Sequence, residues 1–490
     1  MPSSRALQEL VSSEFSFPPP HAPFTPLLPP TDAARRNRTH DAPLPALELR
    51  DSSSFRPGWR VDSYVVPAAF PRVQRNGTRK AGTPSPVAHR SVDRREKVDL
   101  EEVMLDTLGT QIETLRQPVL EVEAEREALE EQEQLHVALN RYVPLKEKRE
   151  EDGRKGVSLV FCHGTGLCKE IWEPVLRPML DELEKGGDVK VDEIFALDTV
   201  NQGDSAVLNE KLMGKGSNWV DLARDLLNFL LVYVNSPSFS SPSSSLSPTL
   251  LKSGSFSPSS LTLDSLSPPP PGAPLPSLRT HAGKTLVGIG HSLGGSVVAL
   301  AATAQPSVFS CLILIDPWLI TEDYGGSTTQ SPAFRSVALR RDRWKSREEA
   351  EGALGGKGLF RAFDKEVTEV FMKYGLREFE DGTCGLKTSA AIERLLYSNP
   401  FGWQGPYLYR RLLSLDPSLP IHIFLPHHKQ SIIPEDQLPK VIEGLQWVTF
   451  ERLKKAHHLA PQFEPERVGK VLAKKLRETY GRPAETSSKL

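Results

Sequence analysis

One turn constrains the chain more than any other feature. Gly290-His291-Ser292-Leu293-Gly294 joins an apolar run, TLVGI, to a helical stretch of small residues at 293–304. The run is short, apolar and β-branched, which reads as a strand covered on both faces. A strand that passes into a helix within so few residues needs glycines at the crossing, because a Cβ there would meet the opposite backbone. Such a turn lifts the central serine hydroxyl above the sheet edge. The helix N-terminus behind it favours developing negative charge. Ser292 is therefore the candidate nucleophile.

The rest of the pattern agrees with a strand–helix repeat. Strands are predicted at 59–66, 135–143, 155–163, 191–197, 285–289, 311–315, 421–425 and 447–450. Helices are predicted at 218–234, 293–304 and 466–480, with Asn218 placed to cap the first of them and Asp221 in its first turn. Strands alternating with helices imply a largely parallel sheet with helices on both sides. About 100 helix-rich residues, 319–416, interrupt the alternation and read as a helical cap between two strands.

Composition marks what lies outside that core. The chain holds 42 prolines in 490 residues, and residues 236–278 alone contain 16 serines and 10 prolines. A segment so poor in apolar surface cannot offset its ordering entropy, so 236–279 is expected as a disordered insertion. Residues 1–54 lack periodicity and are also expected to be disordered. Residues 91–134 are highly charged, with seven glutamates between 121 and 133, and read as an exposed helical insertion. The expected organisation is a core first part at 55–318, a cap at 319–416, a core last part at 417–482 and a tail at 483–490.

Several classes are disfavoured. Sixty basic against 62 acidic residues leave a formal charge of −2, with no basic stripe for nucleic acid. The longest apolar run, 226–234, is too short for a transmembrane segment and contains Asn228. No secretory signal pattern opens the chain. Cys162, Cys168, Cys311 and Cys384 have neither metal spacing nor a disulfide pattern. A soluble intracellular protein is expected. The last three residues, Ser488-Lys489-Leu490, form the S-K-L address read by the peroxisomal import receptor, so the peroxisome is the expected location.

A serine hydroxyl is a weak nucleophile without a base. His458 is the best-placed of the 12 histidines, between the last strand and the last helix, with His457 as its neighbour and competitor. His163 ends a strand before Gly164-Thr165-Gly166 and reads as a loop former. The backbone N–H groups of Thr165 and Leu293 would then form an oxyanion hole. His427 and His428 are adjacent on a strand exit, where side chains diverge, and no carboxylate or cysteine cluster supports a metal. No metal or cofactor is expected.

The stretches LHVALNRYVP, FCHGTGLCKEIWEPVL, ALDTVNQGDSAVLNE, NWVDLARDLL, GIGHSLGG, LILIDPWL and HHLAPQFEPERV run collinearly from residue 135 to about 480. Together they resemble the α/β-hydrolases, and more narrowly the fungal peroxisomal branch that includes the toxin-biosynthesis hydrolases of Alternaria. The resemblance implies a three-layer α/β core with a mostly parallel sheet and an inserted helical cap. It places the nucleophile at Ser292 and the base at His458, which is followed by Leu459-Ala460-Pro461 as in that family. Many members carry the triad acid four residues before a proline, after the strand at 421–425. Here that position is Gln430, which holds no charge. Asp316 ends the strand 311–315 at the same sheet edge as Ser292 and is the expected acid, with Glu435 and Asp436 as the other candidates.

The expected activity is hydrolysis of an ester or thioester of a small-molecule acyl substrate through an acyl-enzyme. Two other uses of the fold stay open on the sequence: a non-catalytic binding protein, and a C–C hydrolase or acyltransferase.

Overall fold

Runs such as GVSLVFC and CLILI are apolar at nearly every position, so both of their faces must be covered. In the computed structural model they lie at the centre of an eight-stranded sheet. The structure describes residues 55–69, 132–145, 156–215, 218–234, 285–324, 332–356, 358–397 and 404–481, with Leu47, Arg50, Arg72, 77–79, His89 and Val103 besides. The insertion 236–279, the tail with Ser488, Lys489 and Leu490, and most of 1–54 and 91–134 lie outside the described residues.

The strands are β1 (Trp59–Pro67), β2 (His136–Pro144), β3 (Gly156–Cys162), β4 (Lys190–Leu197), β5 (Thr285–His291), β6 (Cys311–Ile315), β7 (Arg343–Trp344), β8 (Leu376–Glu378), β9 (Cys384–Leu386), β10 (Ile421–Leu425) and β11 (Thr449–Arg452). The large sheet runs in the order β1-β2-β4-β3-β5-β6-β10-β11. β2 is antiparallel to both of its neighbours, and every other pair is parallel. Register aligns the carboxyl ends: Cys162 pairs with Leu197 and with Gly290, His291 with Ile315, and Ile315 with Phe424. The residues that follow β3, β4, β5 and β6 therefore emerge at one level on one edge, where open α/β sheets place their ligands.

Side chains alternate between two cores. Val160, Cys162, Leu312 and Leu314 pack toward the helices Trp219–Asn228 and Leu293–Ala304. Leu159, Phe161, Ile313 and Ile315 pack toward Glu173–Gly186 and Pro465–Tyr480. Each such fully buried side chain contributes about 1.5–3 kcal/mol relative to exposure. Asn218 caps its helix as expected, its Oδ1 accepting the Val220 N–H at 2.9 Å. That helix ends at Asn228 and the chain continues through a π-helical turn, Phe229–Tyr233.

Residues 319–416 are richer than the periodicity suggests. Helices Pro332–Ala338, Arg347–Gly355, Lys365–Tyr374, Ala390–Tyr397 and Gln404–Leu413 are joined by a three-stranded antiparallel sheet, β7-β9-β8. Strands of two or three residues are too short to show a period of two. The last of these helices lies on the core: Leu408 and Leu412 are buried in the same cluster as helix Leu293–Ala304, and Arg411 donates to the Thr303 carbonyl at 2.8 Å.

Arg50 departs from the expectation for 1–54. Its guanidinium is buried and donates from Nε and Nη2 to the two oxygens of Glu173, each at 2.6 Å. Glu173 is itself fully buried and accepts the Tyr142 hydroxyl at 3.1 Å. A charge pair, invisible to hydrophobic patterning, anchors this part of the N-terminal segment. Among the described residues, no helix is long and apolar enough to cross a membrane.

Candidate active site

The elbow forms because two glycines let backbones touch. A Cβ on Gly290 would fall 2.5 Å from the Gly294 oxygen, and one on Gly294 would fall 2.2 Å from the Cys162 oxygen. Between them Ser292 adopts φ 53°, ψ −122°, a conformation that costs a non-glycine residue on the order of 1–3 kcal/mol. Its N–H donates to the Ile315 carbonyl at 3.0 Å, and its carbonyl accepts from Ser296 N–H at 3.1 Å. Leu293 opens the helix, where the first N–H groups lack intrahelical partners.

His458 arrives on the loop after β11. Its Nε2 lies 3.1 Å from Ser292 Oγ and its Nδ1 lies 2.7 Å from Asp316 Oδ2. An ionised carboxylate only accepts, so the partners assign the proton to Nδ1 and leave Nε2 to accept from the serine hydroxyl. Asp316 follows β6, is fully buried and takes φ 43°. Ser431 Oγ donates to its Oδ1 at 2.5 Å, and the Ile432 N–H donates to its Oδ2 at 3.0 Å. The loop that carries Gln430 thus supplies no carboxylate. Instead it supplies two donors to a carboxylate on the neighbouring strand end.

The alternatives fall elsewhere. Gln430, Glu435 and Asp436 are exposed. The His457 ring stacks on Phe463 at 5.0 Å, and its Nδ1 accepts the Leu459 N–H at 3.2 Å. Among the described residues, no cluster of three or more metal-ligating side chains occurs.

The loop after β3 lies against Ser292. A Cβ on Gly164 would sit 3.2 Å from Ser292 Cβ, so Thr165, the next residue, stands beside the elbow. His163 is buried beneath, with Nε2 3.0 Å from Asp198 Oδ1.

Two contributors escaped sequence reasoning. Ser431 had no signal beyond its place on the right strand exit. His291 lies inside the elbow motif itself. It is fully buried, and its Nε2–H donates to the His458 carbonyl at 2.9 Å. Burial, reinforced by neighbouring His458, drives its pKa well below the ordinary imidazole value, so this ring stays neutral beside the other.

Comparison with known proteins agrees with this architecture. The alpha/beta hydrolase family model matches residues 159–471. "Peroxisomal membrane protein LPX1" of Saccharomyces cerevisiae is 29% identical over 189 residues, 39% of this chain and 38% of that protein. "Type I acyl-CoA thioesterase mpaH" of Penicillium brevicompactum is 25% identical over 250 residues, 51% of this chain and 46% of that one. "Abhydrolase domain-containing protein AKT2" of Alternaria alternata is 31% identical over 121 residues, 24% of this chain and 45% of that one. The chain thus spans less than half the length of each of these relatives. The crystal structure of the yeast peroxisomal alpha-beta-hydrolase Lpx1 shares the fold at TM-score 0.59 and 18% identity, over 88% of this chain and 92% of that one. With its strand order, its elbow and a family match over more than half its length, this chain belongs to the alpha/beta hydrolase family.

Proposed function

We propose that the protein is a serine hydrolase that cleaves an ester or thioester of a hydrophobic acyl substrate through an acyl-enzyme. One observation carries the reading: an unbroken line of contacts from Ser292 Oγ through His458 to buried Asp316, on a serine held at φ 53°. In this reading Ser292 Oγ attacks the carbonyl carbon while its proton passes to His458 Nε2. Asp316 orients the imidazole and stabilises its cation. The Thr165 and Leu293 N–H groups receive the oxyanion. The alcohol or thiol departs with the proton from His458, and water then enters by the same route in reverse roles.

Residues 319–416 serve as the cap, shaping an apolar pocket and excluding water. The thioester option draws support from the Penicillium relative, whose name is that of an acyl-CoA thioesterase. The setting proposed is peroxisomal lipid or secondary metabolism, supported by Ser488-Lys489-Leu490 and by the yeast relative named as peroxisomal.

Incubating the purified protein with a panel of acyl esters, lipids and acyl-CoAs tests the activity. Hydrolysis that disappears in Ser292→Ala is expected, and hydrolysis that survives it refutes the assignment. A fluorescent fusion at the N-terminus should collect in peroxisomes, and diffuse cytosolic signal with the tail intact would refute the location.

A further inference from the structure

Two strands along the sheet from Ser292, a second polar cluster is buried at the same edge. Asp198 follows β4 directly and is fully buried. Its carboxylate accepts from His163 Nε2 at 3.0 Å and from the Lys169 N–H at 2.7 Å on Oδ1. On Oδ2 it accepts from Lys169 Nζ at 3.2 Å and from the Asp204 N–H at 2.9 Å. Lys169 also pairs with Asp204, and with Glu170 at 2.9 Å. Asp204 in turn receives Lys387 Nζ at 2.6 Å. All of these side chains are buried.

Lys387 does not belong to the core. It follows β9 in the cap, and its neighbour Thr388 accepts the Gly203 N–H through Oγ1 at 2.9 Å. Two consecutive cap residues are therefore seated on the 198–204 turn. The same turn grips the loop after β3 at both ends. Asp198 holds His163, and Gln202 Oε1 accepts the Gly166 N–H at 2.6 Å. The cap also touches the loop directly: the Glu393 carboxylate packs so near Gly166 that a Cβ there would lie 2.7 Å away.

Stability alone does not account for such a cluster. Well-packed apolar residues in place of buried ion pairs are often as stable or more so. What a buried ionic network adds is a single arrangement of the elements it joins. Here it joins the cap to the loop that carries Thr165.

We propose that Asp198 and Lys387 are positioning residues: through Lys169 and Asp204, seating of the cap on the 198–204 turn sets the backbone of residues 163–166 and with it the Thr165 N–H. This rests on the reading of Thr165 as an oxyanion donor. A donor displaced from the developing oxyanion weakens transition-state binding more than substrate binding, so a broken relay lowers kcat and leaves KM nearly unchanged.

The test uses the full chain with p-nitrophenyl butyrate, and the rate of fluorophosphonate labelling at Ser292 as a second readout. Lys387→Met should lower kcat about tenfold with KM within about twofold, and Lys387→Arg should recover most of the loss. Asp198→Asn should lower kcat similarly, and the double variant should lose less than the product of the two. Arg377→Met serves as control. It removes a cap–core ion pair to Glu210 at 2.7 Å that lies outside the relay, and should leave kcat within about twofold. If Asp198→Asn fails to fold, the two Lys387 variants and the control decide alone. A Lys387→Met enzyme with wild-type kcat, or a loss equalled by Arg377→Met, overturns the relay and leaves hydrolysis at Ser292 standing. A wild-type chain that neither hydrolyses the ester nor labels at Ser292 overturns the proposed function, and the relay with it.

Discussion

Replacing Asp316 by asparagine isolates the charge in the proposed triad. The amide can turn its oxygen toward His458 Nδ1 and the Ile432 N–H, and its NH₂ toward Ser431 Oγ, which can accept. Shape, hydrogen bonds and tautomer therefore survive, and the negative charge opposite the imidazolium is what disappears. At the observed 2.7 Å separation, two unit charges in an effective dielectric of about 20 attract by about 6 kcal/mol. A neutral amide hydrogen bond retains about 1–1.5 kcal/mol of that. The remaining 4.5–5 kcal/mol, roughly, corresponds to a fall in kcat of about 10³–10⁴. Steady-state hydrolysis of p-nitrophenyl butyrate measures it, with a thermal melt to show that the fold is intact. A variant that keeps activity within about tenfold, while Glu435→Gln or Asp436→Asn loses it, would refute the reasoning.

Three further perturbations follow from the described contacts. Arg50→Ala strips a buried partner from Glu173 but leaves Arg177 at 3.2 Å, so stability should fall by about 3 kcal/mol, the low end for a broken buried pair. A denaturant midpoint unchanged by that variant contradicts the anchoring role. Burial alone would raise the Asp204 carboxyl, yet Lys169 and Lys387 outweigh it and hold the group at about 2, below its ordinary 3.8. A carboxyl depressed by folding stabilises fully above its unfolded value and loses that contribution as pH falls toward the folded one. Asp204→Asn should thus lower the melting temperature at pH 7 and flatten its decline between about pH 4 and 2, whereas an unchanged acid limb contradicts the ion pairing. His291→Leu removes the donor that holds the His458 backbone and should cost about 10² in kcat, while His291→Gln, which keeps an N–H, should cost much less. Equal losses in the two variants would show that packing, not the hydrogen bond, is what His291 provides.

The residues that set the fold speak through local rules, and these were legible. Gly290 and Gly294 sit where a Cβ has no room, and the continuous apolar runs at β3, β5 and β6 admit only a sheet covered on both faces. Ser292, His458 and Asp316 could be placed because each stands at a strand exit or helix entry on one sheet edge. Choosing between His458 and His457 required the resemblance, since two adjacent loop residues are equivalent to pattern reasoning, and geometry separates them by 3.1 Å to Ser292 against a stack on Phe463. What stayed hidden rests on contacts between distant residues. Arg50 meets Glu173 across 123 positions, Ser431 meets Asp316 across 115, and Lys387 meets Asp204 across 183. No periodicity or local propensity encodes such pairs. The sheet β7-β9-β8 was missed for a different reason, its strands being too short to alternate.

The central claim is that Ser292 is a nucleophile activated by His458. Reaction of the purified chain with a fluorophosphonate, followed by intact mass and peptide mapping, tests it without knowledge of the substrate. The account predicts a single adduct on Ser292, absent in Ser292→Ala and formed far more slowly in His458→Ala. An unlabelled Ser292 in the folded chain, or labelling as fast without His458 as with it, would contradict it.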